Sequence, residues 1–196
     1  MEDKEAIRIM DSAKIARAIT RIAHEILERN GGAESLVIVG ILTRGADIAH
    51  RLARVIKEIE GREVPVGLMD ISLYRDDVNF NPDQPVVRQT DILFNIDEKN
   101  MILVDDVLYT GRTIRAALSQ IIEFGRPSTI QLAVLVDRGH RQLPIRPDYV
   151  GKNIPTGFKD SVRVYLKDQD GADEVIHYRA TSGFGNREDS REGQSS

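Results

Sequence analysis

The sequence contains no cysteine and only four histidines, His24, His50, His140 and His177, spread along the chain. Disulfides, thiolate zinc sites and cysteine nucleophiles are thereby excluded, and the scattered histidines do not suggest a histidine metal site. Long apolar runs are also missing. Nothing approaches the roughly 20 residues of a membrane helix. The opening Met1-Glu2-Asp3-Lys4-Glu5 lacks the basic-then-apolar form of a signal peptide, so a cytoplasmic protein is expected. There is no G-x-x-x-x-G-K-[ST], and the only G-x-G, at Gly183 and Gly185, has Glu188 where a third glycine belongs. The P-loop and dinucleotide-binding readings fail together. A surplus of positive charge is lacking too: 27 Lys+Arg against 31 Asp+Glu leave a net charge of −4, which speaks against a nucleic-acid binder. Aromatic residues make up only 5%. Chemistry must therefore come from carboxylates, hydroxyls, cations and the backbone.

What is present is an ordinary globular composition, 41% hydrophobic and 30% charged over 196 residues, enough for one domain with a real core. Asp11 or Ser12 can cap a helix whose Ile15, Ile19, Ile22 and Ile26 recur at helical spacing and which Asn30-Gly31-Gly32 ends. Leu36 to Ile41 reads as a buried strand. After Thr43-Arg44-Gly45, the residues Ile48, Leu52, Val55 and Ile59 trace a second helix up to Gly61. Val64 to Met69 is a further strand, with Pro65 best placed at its start or at a sheet edge. Met101 to Val104 and Ile130 to Val136 are buried strands flanking a helix marked by Ile114, Leu118 and Ile121-Ile122. This alternation predicts an α/β fold, a central mainly parallel sheet flanked by helices. The short strands after Val136, at Tyr149-Val150, Val162–Leu166 and Val175–Tyr178, suggest a small subdomain. Residues 74–99 are polar and turn-rich, as a functional flap would be. Residues 180–196 read as a loose tail, leaving one domain over 1–179.

The most informative stretch runs from Met101 to Thr113. A buried strand leads into Asp105-Asp106 and then Val107, Leu108, Tyr109, Thr110, Gly111, Arg112 and Thr113, which open a helix. Ligands of parallel sheets sit beyond the carboxyl ends of strands, and a helix N-terminus offers N–H groups and a positive dipole end to an anion. Thr110 to Thr113 suit a phosphate. Paired carboxylates would repel it, and fit sugar hydroxyls or Mg2+ instead. A simple acidic helix cap would account for one acid and one threonine, not for the whole set.

This stretch resembles the 5-phosphoribosyl-1-pyrophosphate (PRPP) motif of type I phosphoribosyltransferases. The resemblance implies that fold, with a small hood and a mobile flap. It also implies Asp105 and Asp106 on the ribose, Thr110–Thr113 on the 5-phosphate, Thr43 and Arg44 on the pyrophosphate, and Arg75 or Arg88 reaching it from the flap. Mg2+ would come with PRPP, near Asp105 and Asp106, rather than being held by protein alone. Tyr109 stands where purine-salvage relatives have a carboxylate, which points to a pyrimidine base, held by Arg138 and the backbone near Val162.

Ile71–Asp77, Gly125–Ser128, Val134–Arg141, Leu143–Arg146 and Asp148–Thr156 are similar to one family in particular, the bifunctional pyrimidine-operon attenuation regulators that are also uracil phosphoribosyltransferases. That resemblance extends to Tyr178. It implies transfer of phosphoribosyl to uracil, giving UMP and pyrophosphate, a uridine-nucleotide-dependent grip on leader mRNA, and a homodimer or tetramer. A dedicated salvage enzyme without RNA binding would share the same site. Two basic groups suit RNA: Arg17, Arg21 and His24, on one face of the first helix opposite its isoleucines, and Arg138, His140, Arg141, Arg146 and Lys152.

Overall fold

The computed structural model describes residues 4–71 and 90–180. The chain enters through β1 (Lys4–Met10) and turns at Asp11 into α1 (Ser12–Asn30), where the Asp11 carboxylate accepts the Lys14 N–H at 2.8 Å. Gly31, at φ 66°, ends this helix, and the Gly32 N–H closes on the Leu27 carbonyl at 2.9 Å. β2 (Leu36–Ile41), α2 (Arg44–Glu60) and β3 (Val66–Met69) follow. β4 (Asn100–Leu108), α3 (Arg112–Phe124) and β5 (Thr129–Asp137) repeat the strand–helix–strand unit. The chain then adds β6 (Tyr149–Asn153), β7 (Ser161–Tyr165), the single turn α4 (Lys167–Asp170) and β8 (Glu174–Ala180).

Five strands form a parallel sheet in the order β3-β2-β4-β5-β6. Every residue of β2 is buried, as expected for a strand covered on both faces. Ile38, Ile102 and Val104 pack under α1 and α2, while Val37, Val39 and Leu103 pack on Ile114, Ala117 and Ile121 of α3. Pro65 does sit just ahead of an edge strand, β3. The two helical stripes are shifted slightly from expectation. Ile56, not Ile59, completes the buried face of α2, and Ile122 of α3 is 70% exposed. Among the described residues no helix is long and apolar enough to cross a membrane.

The hood differs from the one expected after Val136. β6 joins the parallel sheet beside β5, where Tyr149 pairs with Ala133. The hood sheet is antiparallel, β1-β8-β7, and recruits the N-terminal strand, with Lys4 opposite Ala180. Of the expected flap, residues 74–89 lie outside the described part, but the segment from Thr90 to Lys99 belongs to the body. Asp91 and Leu68 exchange backbone hydrogen bonds at 2.8 and 2.9 Å, and Ile96 is fully buried.

The topology fixes where a ligand can sit. From β2 the chain crosses to β3 on one side, and from β4 it crosses to β5 on the other, so the connections diverge between the adjacent strands β2 and β4. A crevice opens at the carboxyl ends of strands at such a switch point.

Candidate functional site

Two helices begin at that crevice. α2 starts directly after β2, through Leu42 and Thr43, and α3 starts after β4 through Tyr109, Thr110 and Gly111. Neither N-cap residue supplies a side-chain cap: Thr43 makes no capping bond, and Gly111, at φ 92°, has no side chain to offer, although the Thr110 hydroxyl accepts the Arg112 N–H at 3.4 Å. Two positive dipole ends thus converge on one crevice, a setting for two anionic groups. The Leu42–Thr43 peptide is cis. Gly45 explains why Thr-Arg-Gly is more than a plain turn. A Cβ there would lie 2.6 Å from the Val104 carbonyl oxygen and 3.1 Å from the Asp105 Cα, so only glycine lets α2 start against β4.

Beyond β4 lies an open cavity of about 460 Å³ lined by Asp105, Val107 to Thr113 and Gln142. Gln142 was missed in the sequence, because a lone glutamine carries no motif signal. It accepts the Arg112 Nε–H at 3.0 Å, and its own N–H donates to the Thr110 carbonyl at 3.0 Å. Leu143 and Ile145 press on Gly111, where an added Cβ would meet Ile145 at 3.3 Å. The loop after β5 therefore clamps the phosphate-type turn from outside.

The acids are shaped by their own backbone. Asp105 is buried and accepts the Asp106 N–H at 2.9 Å, and Asp106 accepts the Val107 N–H at 2.8 Å. Burial pushes the Asp106 carboxyl above its ordinary range, against the pull of that N–H and of the neighbouring Asp105 and Arg44. Arg44 itself donates to both oxygens of Asp170 in α4, at 3.2 and 2.7 Å. This contact raises the Arg44 pKa and lowers that of Asp170. The expected pyrophosphate clamp is thus held against the hood.

Arg138 is buried, 7% exposed, and its guanidinium carbon lies 4.0 Å from the centre of the Tyr109 ring. One of its terminal nitrogens donates to the Asp160 carbonyl at 2.8 Å, while its buried Nε has no partner. Burial lowers its pKa. Val162, on β7, is also buried. Asp160, another residue missed in the sequence, gathers the Gly157 N–H at 2.7 Å, the Ala180 N–H at 3.0 Å and His177 Nε2 at 2.8 Å. These bonds, the backbone ones foremost, hold its pKa down to about 2.

The basic residues divide. Arg17, His24, Arg146 and Lys152 are exposed. Arg21 donates to the Val150 and Gly151 carbonyls at 2.8 and 2.9 Å, which brings the α1 group beside Lys152 on β6. Arg141 is turned inward instead. It donates to the carbonyls of Tyr109 (2.8 Å), Ile145 (3.1 Å) and Gly139 (3.2 Å) and pairs with Asp137. His140, at φ 60°, bonds the Thr156 carbonyl at 2.7 Å and packs edge-on against Tyr109. Arg88 lies outside the described residues.

Residues 7–169 match the phosphoribosyl transferase domain family. The Bifunctional protein PyrR of Pelotomaculum thermopropionicum is 57% identical over 173 residues, 88% of this chain and 96% of that protein. That of Deinococcus radiodurans is 59% identical over 167 residues, 85% of this chain and 91% of that protein. The chain belongs to the PyrR family of phosphoribosyltransferases. Among solved structures, the hypoxanthine phosphoribosyltransferase of Trypanosoma cruzi in complex with its product IMP superposes with a TM-score of 0.67 at 20% identity, covering 91% of each chain. At that identity the likeness is one of fold. The family match over residues 7–169 and the mainly parallel sheet bear out the type I phosphoribosyltransferase fold that the resemblance of Met101–Thr113 implies.

Proposed function

We propose that this PyrR-family protein transfers phosphoribosyl from PRPP to uracil, giving UMP and pyrophosphate, and that with a uridine nucleotide bound it grips the leader of pyrimidine biosynthetic mRNA to promote termination. One observation carries the enzymatic half: two helix N-termini whose N-cap residues supply no side-chain cap flank the Asp105–Asp106 carboxylate pair, Asp105 buried and Asp106 half-buried, at the switch point between β2 and β4. The first turn of α3, from Thr110 to Thr113, takes the 5-phosphate. Thr43 and Arg44, at the start of α2, take the pyrophosphate once Arg44 leaves Asp170. Asp105 and Asp106 accept the ribose hydroxyls.

In transfer the bond from C1 to the pyrophosphate oxygen breaks as a uracil nitrogen bonds C1 and loses its proton. Positive charge develops on the ribose, and the Asp105–Asp106 pair lies on the side where it forms. Arg138, stacked on Tyr109 with an N–H to spare, and the Val162 backbone hold the base. Mg2+ would enter with PRPP, near Asp105 and Asp106, rather than being held by protein alone. When bound, Mg2+ would supply neutralisation of the leaving pyrophosphate's charge.

For RNA, the exposed cations of α1 and of the chain from Arg146 to Lys152 form one face, because Arg21 binds the strand that carries Lys152. A gel-shift titration of pyrimidine-operon leader RNA with and without UMP, beside a uracil-plus-PRPP assay, tests both halves. Uracil-dependent pyrophosphate release and UMP-strengthened binding are expected. Turnover of hypoxanthine or orotate without uracil would overturn the base assignment, and RNA affinity indifferent to UMP would overturn the regulatory one.

A further inference from the structure

His177 takes no part in the chemistry, yet it is 4% exposed and pairs with Asp160, whose carboxylate side chain is 9% exposed. Burying two ionisable side chains costs desolvation that an apolar pair of the same volume would avoid. The pair's contacts lead to one place. Asp160 collects His177 Nε2, the Gly157 N–H and the Ala180 N–H, so its carboxylate fixes the turn that spans Gly157 to Asp160 against the end of β8. The carbonyls of this same turn face outward to Arg138: that of Asp160 accepts its terminal nitrogen at 2.8 Å, that of Gly157 at 3.5 Å. The Thr156 hydroxyl completes the bracket by donating to the Arg138 carbonyl at 3.0 Å. Arg138 in turn lies over the Tyr109 ring with its Nε unpartnered. On the other side, His177 stands opposite Val162 in the β7–β8 ladder. One residue therefore stands behind both protein walls of the base pocket.

We propose that His177 is a positioning residue for the pyrimidine base: through Asp160 it sets where Arg138 and the Val162 backbone meet the uracil ring. The inference rests on the reading of that pocket as the uracil site. Among the described residues, Gln142, Leu143 and Ile145 hold the 5-phosphate turn, from Thr110 to Thr113, from a different side than this bracket, so the two halves of the nucleotide should respond separately.

The test compares His177→Ala, His177→Gln and Asp160→Asn with the parent protein, with KM for uracil and for PRPP measured beside direct titrations of UMP and PRPP. His177→Ala should raise the uracil KM and weaken UMP by about tenfold, the loss of one charge-assisted hydrogen bond, with the PRPP KM and affinity held within about twofold. Glutamine can present an N–H near the place of Nε2 and should recover most of the loss. Asp160→Asn should reproduce the uracil defect if His177→Ala does not fold. A parallel rise in both KM values, or a uracil KM unmoved in folded His177→Ala, overturns the proposal, as does a glutamine variant no better than alanine. If the parent protein binds UMP without turning over uracil, the transfer reading fails while the titrations still judge the bracket. If it binds no UMP at all, both fall.

Discussion

Arg141 and Arg146 belong to the same short loop yet face opposite ways. Arg141 spends its guanidinium on Asp137 and on the Tyr109, Ile145 and Gly139 carbonyls, and so braces the phosphate turn, whereas Arg146 is exposed. Arg141→Ala is expected to raise the PRPP KM by about tenfold, because the Tyr109 carbonyl and Asp137 lose a shared donor. Arg146→Ala should leave that KM alone and lower leader-RNA affinity, reducing the salt slope by about 1. Steady-state kinetics and filter binding on both variants check this. Weakened RNA binding in Arg141→Ala with PRPP kinetics intact would show that its charge, not its brace, matters. The motif from Val134 to Arg141 was legible in the sequence, but the direction of each side chain was not: inward and outward arginines look alike until Asp137 and the Tyr109 carbonyl are placed. The same holds for Asp160, whose pKa of about 2 depends on N–H groups from Ala180 and Gly157. A carboxyl depressed in the folded state lends stability above its ordinary 3.8 and loses it as the pH falls through about 2. Urea midpoints should fall over that acid window in the parent protein and change less in Asp160→Asn, which should also be the less stable of the two at neutral pH.

At the scale of elements, what the sequence revealed was local. The caps at Asp11 and Gly31, the unbroken apolar run of β2 and the helix stop at Gly61 all act within a turn of the residue concerned, and they were readable. Strand partnership is not local. β1 was missed because a single short strand at the N-terminus gains its place only from β8, which follows almost the whole chain later. β6 was grouped with the hood because nothing between Tyr149 and Asn153 says that β5 lies beside it. The start of α2 shows how tightly the elements fit at the site. Gly45→Ala would set a methyl group 2.6 Å from the Val104 carbonyl oxygen, and backbone on both sides prevents an easy retreat. The expected result is a loss of about 1–3 kcal/mol in urea unfolding, the usual cost of overpacking, with a higher PRPP KM as Thr43 and Arg44 shift from Asp105. Normal stability and normal kinetics would mean that α2 can lift from β4 without consequence.

For the molecule as a whole, a net charge of −4 argues against a nucleic-acid partner only if charge is evenly spread. It is not. Arg44, Arg51 and Arg141 are neutralised by Asp170, Asp173 and Asp137, and Arg29 by Asp148, all within the fold. What stays exposed along α1 and the β6 end is Arg17, His24, Arg146 and Lys152, while Arg21, itself paired with Glu25 at 2.6 Å, joins the two groups through its bonds to Val150 and Gly151. Arg17, Arg146 and Lys152 carry a permanent charge. If each meets one phosphate of a single-stranded loop, the logarithm of leader-RNA affinity should fall against the logarithm of salt with a slope of about −2 per protomer. An acidic remainder also repels phosphate elsewhere, so an unrelated RNA of equal length should compete poorly. Titrations from low to moderate salt, with the leader and an unrelated competitor, measure both quantities. A slope near zero, or equal competition by the unrelated RNA, would remove this face from RNA recognition. A slope of the expected size that Arg17→Ala and Lys152→Ala each reduce by about 1 would fix the partner to the junction of α1 and β6.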